Sequence, residues 1–249
     1  MPKIQDSILF FDSGSGGLTV LNECRRKIKG YPFFYYGDNQ RAPYGNLSEA
    51  EIQRRVFSLF RDFALLRPRA VVLACNTVTA VCAEKLRERY SFPIIGAEPA
   101  VYPAARVGGE VFVLSTRATH ESERFKMLCA RARAGNPRAC IHSFACDLLA
   151  GEIQKQLPKT SLDLSALLPT GKPDSVVLGC THYVFMKEQI SKFYGCPTYD
   201  GNEGIANVLA RILSIATTRN HAPCESEVFF LGEASEANKS IFEQMFVIK

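Results

Sequence analysis

Two cysteines each close a run of aliphatic residues: Cys75 in VVLACNT and Cys180 in VVLGCTH, 105 residues apart in a chain of 249. Runs of this length read as buried strands, and the residues after each cysteine read as the start of a helix. A thiol at a helix N-terminus feels the positive end of the macrodipole. Its pKa is then expected below the free value of about 8.5, with thiolate favoured. Two facing thiols suit inversion of a carbon stereocentre. One thiolate removes a proton and leaves a planar carbanion; the opposite thiol returns a proton to the other face. A single thiol reaches one face only. Asp12 and His182 are the neighbours expected to position or activate the thiols, Asp12 beside Cys75 and His182 two residues from Cys180.

The elements that carry these residues follow from hydrophobic periodicity. ILFF (8–11) is a strand ending in the Gly-rich turn DSGSGG (12–17), with a helix over LTVLNECRRKIK. PFFYY (32–36), AVVLA (70–74) and PIIGA (93–97) are further strands. Ser48 with Glu51 is a capping-box signature that opens an amphipathic helix running to about Leu66. A helix over TVTAVCAEKLRERY follows Cys75. The second half repeats this grammar, with strands at 110–115, 139–145, 174–179 and 196–200. Its helices are expected over THESERFKMLCARAR, DLLAGEIQKQL and HYVFMKEQISKFY, each continuous. A helix over GIANVLARILSIA, a strand at 227–232 and a helix over SEANKSIFEQMF close the chain.

Alternating strands and helices predict parallel sheets covered by helices. ILFFDS matches VFVLST at an offset of about 102, and VVLACNT matches VVLGCTH at 105. The expected fold is therefore α/β: two similar domains with mostly parallel sheets flanked by helices, pseudo-two-fold related, with the active site in the interdomain cleft. Residues 1–95 plus 206–249 form the first domain and residues 96–205 the second. Ligands in open α/β sheets sit outside the carboxyl ends of strands. Asp12, Ser13, Cys75, Asn76, Ser115, Thr116, Cys180, Thr181 and His182 all fall at such ends.

Composition narrows the alternatives. The chain is 47% hydrophobic and 22% charged, which excludes a disordered polymer. A net charge of +5 suits an acidic small molecule. The Arg-rich stretches RRKIK (25–29) and RARAGNPR (131–138) read as solvated helix faces, so no nucleic-acid partner is expected. No apolar run approaches the ~18–20 residues that span a bilayer. MPKIQDSILFF lacks the apolar core of a signal peptide. Nine cysteines without an export signal point to free thiols in the cytoplasm.

There is no CxxC pair, and the Cys140/His142 and Cys180/His182 pairs lack further ligands, so no metal site is expected. His120, His142 and His221 have no context comparable to that of His182. DSGSGG fits neither the GxxxxGK[ST] nor the GxGxxG phosphate loop. No lysine sits in these motifs to carry pyridoxal phosphate, so no cofactor is expected. A non-catalytic binder of anions would use the same strand ends and helix N-termini. It would have no need of an acid/base on both faces of a ligand.

FDSGSGGLTVL (11–21), YYGDNQRAPYG (35–45), ACNTVTA (74–80), GCTHY (179–183) and DGNEGIA (200–206) together resemble the glutamate racemases, the cofactor-independent enzymes that supply D-glutamate for peptidoglycan. The resemblance implies that Cys75 is the base acting on D-glutamate and Cys180 the base acting on L-glutamate, with Asp12 and His182 assisting. It implies that Asp12, Ser13, Tyr44, Gly45, Asn76, Thr77, Thr181 and His182 hold the substrate, with Thr116 and Thr119 as further candidates. A homodimer is implied as well. The racemases of aspartate and hydantoins share the paired-cysteine plan but resemble the DSGSGGLTV and APYG pieces less; a racemase for another acidic amino acid is the alternative within this class. Two departures stand out. Val184 follows GCTHY where the family usually has Pro, and CDLLAGEIQ does not match the family pattern that places an assisting glutamate here, so Glu152 is given no role.

Overall fold

A computed structural model describes residues 7–214 and 227–247. The first residues of MPKIQDSILFF, His221 and the end of the GIANVLARILSIA stretch lie outside the described residues.

The chain opens with β1 (Ile8–Asp12), α1 (Leu18–Lys27), β2 (Phe33–Gly37), α2 (Glu49–Leu65), β3 (Ala70–Leu73), α3 (Asn76–Arg89) and β4 (Ile94–Gly96). It continues with α4 (Val101–Val107), β5 (Gly109–Ser115), α5 (Arg117–Glu121), α6 (Glu123–Gly135), β6 (Ala139–Ala145), α7 (Leu149–Gln156), β7 (Ser175–Gly179), α8 (Lys187–Tyr194) and β8 (Thr198–Tyr199). It ends with α9 (Asn202–Ile212), β9 (Val228–Leu231) and α10 (Ser235–Phe246).

Two parallel sheets result. One has the order β4-β3-β1-β2-β9, the other β6-β5-β7-β8. Without β9, the two orders are the same: β2-β1-β3-β4 and β6-β5-β7-β8. The internal repeat seen in the sequence is thus a repeat of topology, and β3 and β7, which deliver Cys75 and Cys180, are equivalent strands. β9 is an addition on the free edge of β2.

Alternation along β1 explains the double-sided core. Ile8 and Phe10 face α1, α9 and α10, in a cluster with Leu21, Leu209 and Phe242. Leu9 and Phe11 face α2 and α3, in a cluster with Phe60, Phe63 and Val78. The second sheet does the same, with Phe112 and Leu114 on one face and Val111 and Val113 on the other. A strand buried on both faces shows no polar alternation, which is why these runs read as continuously apolar.

Helix boundaries follow local chemistry. Ser48 and Glu51 form the expected reciprocal capping box at the start of α2. The stretch expected as one helix over THESERFKMLCARAR is two, because Ser122 leaves the helical conformation and caps α6 by accepting from the Phe125 N–H. HYVFMKEQISKFY is also not one α-helix: Thr181–Met186 winds as a 3-10 turn before α8. In that turn Tyr183 is fully buried and donates to the Cys146 carbonyl at 3.0 Å.

Among the described residues the chain passes between the sheets twice, around residues 97–100 and 200–201. The two crossings touch: a Cβ on Gly201 would fall 2.5 Å from the Glu98 carbonyl oxygen.

Phe11 lies at the centre of the first sheet, with Phe63, Phe60 and Tyr36 ring centroids at 5.7, 6.1 and 6.1 Å. Phe11→Ala should cost about 3–5 kcal/mol of unfolding free energy, measured by urea titration. A loss below about 1 kcal/mol would show that this packing is not a stabilising centre.

Candidate active site

The carboxyl ends of β1, β3, β5 and β7 converge on one cleft. Cys75 ends β3 and is the N-cap of α3; Cys180 ends β7 and precedes the 3-10 turn. Both are nearly buried, 6% and 7% exposed, and Asp12 and His182 are at 0% and 2%. The Ser13 hydroxyl lies 3.4 Å from Cys75 Sγ, and His182 Nδ1 lies 3.9 Å from Cys180 Sγ.

Asp12 is placed differently from the pairing expected in the sequence. Its hydrogen bonds run to the Gly14 N–H at 2.8 Å and, across the cleft, to the Thr181 hydroxyl at 3.2 Å. The contact with the Cys75 thiol is made by Ser13. Asp12 remains coupled to Cys75 through space, since its negative charge raises the thiol pKa.

The thiols themselves correct a second expectation. The helix-end argument favours thiolate, yet burial pushes Cys75 up to about 11, with the Asp12 charge adding to it. Burial pushes Cys180 up as well, and a charge on Cys75 raises it again. Backbone N–H groups of Val78, His182 and Tyr183 pull the other way and lose. A partial charge at a helix end cannot offset removal of a thiolate from water on all sides. Cys180 moreover has only a 3-10 turn behind it, so it lacks the aligned dipoles of an α-helix. Burial also lifts Asp12 to about 7 and lowers His182 to about 4. The enclosed site therefore favours neutral thiols and a neutral imidazole.

Several residues expected to hold a ligand meet one another across the cleft. The Thr77 hydroxyl lies 2.9 Å from that of Thr116 and 3.4 Å from that of Thr119, and Thr116 bonds Thr119 at 3.0 Å. Gly45 packs against Thr116, where a Cβ would fall 2.6 Å from the threonine Cβ. Asn76 is buried beside Ala97, Glu98 and Pro99. Tyr44 packs in the same buried cluster as Cys75, and its hydroxyl is taken up by Asp38. It is fully buried and donates to Asp38 Oδ2 at 2.5 Å, while Arg55 grips both Asp38 oxygens at 2.8 and 2.9 Å. This network braces the loop that carries Gly45.

The glycines of DSGSGG acquire a reason here. A Cβ on Gly16 would fall 2.5 Å from Thr181 Oγ1 and 2.6 Å from His182 Nδ1; one on Gly14 would fall 2.6 Å from Gln154 Oε1 and 3.2 Å from His182 Nε2. The turn is bare so that the opposite domain can reach its backbone. Its amides face protein groups: Gly14 donates to Asp12, and Ser15 donates to Gln154 at 2.9 Å. The Tyr35 hydroxyl holds the Gly14 carbonyl at 2.7 Å.

Sequence reasoning missed the group behind this turn. Gln154 on α7 accepts from Ser15 N–H, donates to Ser15 Oγ at 3.0 Å and meets His182 Nε2 at 2.7 Å. Ser15 Oγ donates to Asn238 Oδ1 at 2.8 Å and accepts from Asn39 at 3.0 Å. Asn238, on the closing helix, is completely buried. Gln154 sits in an ordinary amphipathic pattern, so its role emerges only from docking of the two domains. Glu152 pairs with Lys155 at 2.7 Å and makes no contact with the thiols.

Two outcomes follow from this geometry. Asp12 is raised to about 7 in the fold, so its contribution to stability is present at acid pH and is lost as pH rises from about 4 through 7. Asp12→Asn should therefore raise the melting temperature relative to the unsubstituted chain by more at pH 8 than at pH 5. Equal gains by calorimetry would show that the carboxylate is not buried as described. Gly16→Ala should keep the domains from closing, seen as faster amide exchange of Thr181 and His182; unchanged exchange would mean that the turn can yield to a methyl group.

The chain is similar to proteins already known. The family model of Asp/Glu/hydantoin racemases matches residues 15–209. A glutamate racemase of Clostridium novyi (strain NT) is 36% identical over 216 residues, covering 82% of each chain. One from Leptospira interrogans serovar copenhageni is 35% identical over 211 residues, covering 82% of this chain and 81% of that one. Among solved structures, Escherichia coli glutamate racemase in complex with L-glutamate and the activator UDP-MurNAc-ala is similar, with a TM-score of 0.77 at 28% identity, covering 96% of this chain and 95% of that one.

Proposed function

The chain belongs to the Asp/Glu/hydantoin racemase family, and from that premise we propose that it interconverts L- and D-glutamate by proton transfer between two cysteines. The observation that carries this reading is the placement of Cys75 and Cys180 at the ends of topologically equivalent strands, both buried in one cleft, where a charge on Cys75 raises the pKa of Cys180.

With L-glutamate, the Cys180 thiolate takes the α-proton and becomes a thiol. The electron pair stays on the α-carbon as a planar carbanion. The Cys75 thiol then gives its proton to the opposite face, yielding D-glutamate and a Cys75 thiolate. D-glutamate runs the same sequence backward. Each turnover leaves the protonation of the two thiols exchanged, and exchange with water resets them.

Deprotonating the first thiol is the costly step, because burial opposes it. His182 Nδ1 is the nearest acceptor for the Cys180 proton. The ammonium group of the substrate brings a positive charge beside the thiols and favours their ionised form. In a cleft shielded from water this attraction is far stronger than in solution. Asp12, Ser13, Gly45, Asn76, Thr77, Thr116, Thr119, Thr181 and His182 line the ends that would grip the two carboxylates and the ammonium. For the substrate to reach the sulfur atoms, the contacts Thr77–Thr116, Thr181–Asp12 and Gln154–Ser15 must part, and all three are individually weak polar bonds.

The same reading places the enzyme in the cytoplasm as a homodimer, without cofactor, supplying D-glutamate for peptidoglycan. Among the described residues no helix is long and apolar enough to cross a membrane. Light scattering should give twice the 27.6 kDa chain mass; a monomer would overturn the dimer.

Incubation with L-glutamate in deuterated water should show loss of the α-proton signal together with decay of optical rotation. A folded sample that does neither would sink the racemase assignment, and turnover of aspartate in place of glutamate would change the substrate. Cys75→Ser and Cys180→Ser should each lower racemization by roughly 10²–10⁴-fold. Wild-type rates in either variant would rule out the two-base assignment.

A further inference from the structure

Among the described residues, Gln154 is the side chain hydrogen-bonded both to the backbone of the Gly-rich turn in the first domain and to His182 of the second. Its position raises a question about which nitrogen of His182 carries the proton. A neutral imidazole has one N–H and one bare nitrogen, and the partner of one nitrogen decides the state of the other.

The Ser15 backbone N–H can only donate. It lies 2.9 Å from Gln154 Oε1, so the amide must present its oxygen there. The Gln154 amide nitrogen then faces Ser15 Oγ at 3.0 Å and donates to it. Ser15 Oγ can accept because its own proton goes to Asn238 Oδ1. A flipped amide would set N–H against N–H. The same Oε1 lies 2.7 Å from His182 Nε2. Facing a fixed acceptor, Nε2 must carry the proton, and Nδ1, on the Cys180 side, is left bare.

We propose that Gln154 is a positioning residue that locks His182 in its Nε2–H tautomer when the two domains close, so that in the closed cleft Nδ1 is always bare and ready to take the Cys180 proton. Ser15 belongs to the turn after β1 and Gln154 to α7, so the lock exists only when the two domains are together. With the domains apart, the amide is free to turn and either end can meet His182. A neutral amide suits this role because it cannot gain or lose a proton itself, and so cannot compete for the one being moved. The inference rests on the racemase reading for its kinetic consequence and on geometry alone for the tautomer.

The test uses the full chain, with ¹⁵N-labelled histidine, alone and saturated with racemic glutamate. The His182 nitrogen shifts should report a single Nε2–H tautomer in the saturated protein and a mixture in Gln154→Met, which keeps length but has no acceptor oxygen. The Met variant should also lose roughly tenfold or more in kcat/KM. Because the enantiomers are equal in energy, that loss must be the same in both directions. The isotope effect is the directional readout: it should rise for α-deuterated L-glutamate and not for α-deuterated D-glutamate. Gln154→Glu keeps an acceptor oxygen and should restore the single tautomer and most of the rate. A pure Nε2–H tautomer in Gln154→Met, an Nδ1–H tautomer in the unsubstituted protein, or an isotope effect raised equally for both enantiomers would overturn the proposal. If the unsubstituted protein does not racemize glutamate, the functional assignment falls, and the nitrogen shifts still decide the lock.

Discussion

Everything in the cleft depends on one close approach: the turn Ser13–Gly17 meets the segment Cys180–His182 at Gly16, where a Cβ would fall 2.5 Å from Thr181 Oγ1. Backbone-to-side-chain distances this short bring Thr181 onto Asp12 and Gln154 onto Ser15. They also exclude water from two thiols, a carboxyl and an imidazole at once. The perturbed ionisation of all four groups is a consequence of that contact and follows from burial before any particular partner is considered. A bulkier turn would leave the same residues in place but wet, and a wet thiol has little hold on an α-proton.

Much of this was legible in the chain. The strands announce themselves because they are buried on both faces, and the Ser48–Glu51 cap is a local signal that needs no tertiary partner. The repeat of strand-then-cysteine predicted equivalent strands, and the matching sheet orders show why it works: each cysteine leaves the strand next to the central one on the same side. What could not be read was anything decided between domains. Gln154 looks like one more polar residue on an amphipathic helix. Asp12 looks like the companion of Cys75, whereas its hydrogen bond crosses to Thr181. The Gly-rich turn matches no ligand-loop pattern; its glycines are there for close approach, and the sequence does not say what approaches.

The misjudged thiols carry a physical lesson. A helix end offers about half a charge, and it acts best where water has partly withdrawn. Complete withdrawal costs a thiolate more than that half charge returns. Burial is the first cause for both cysteines, the one with an α-helix behind it and the one with only a 3-10 turn. Tyr44 shows the same contest resolved the other way. Burial would raise Asp38, yet the forked bonds of Arg55 and the phenol of Tyr44 hold its carboxyl below the usual range. That carboxylate keeps its charge because it has a full ion partner, which neither thiol has.

The two chain crossings, in contact at Glu98 and Gly201, have a mechanical meaning. A body tied to another at a single point can swivel in any direction; one tied along a short line can only swing about it. The two crossings together restrain movement of one sheet against the other more than either would alone. That restraint favours one register across the cleft, the one in which Thr181 meets Asp12 and Gln154 meets Ser15.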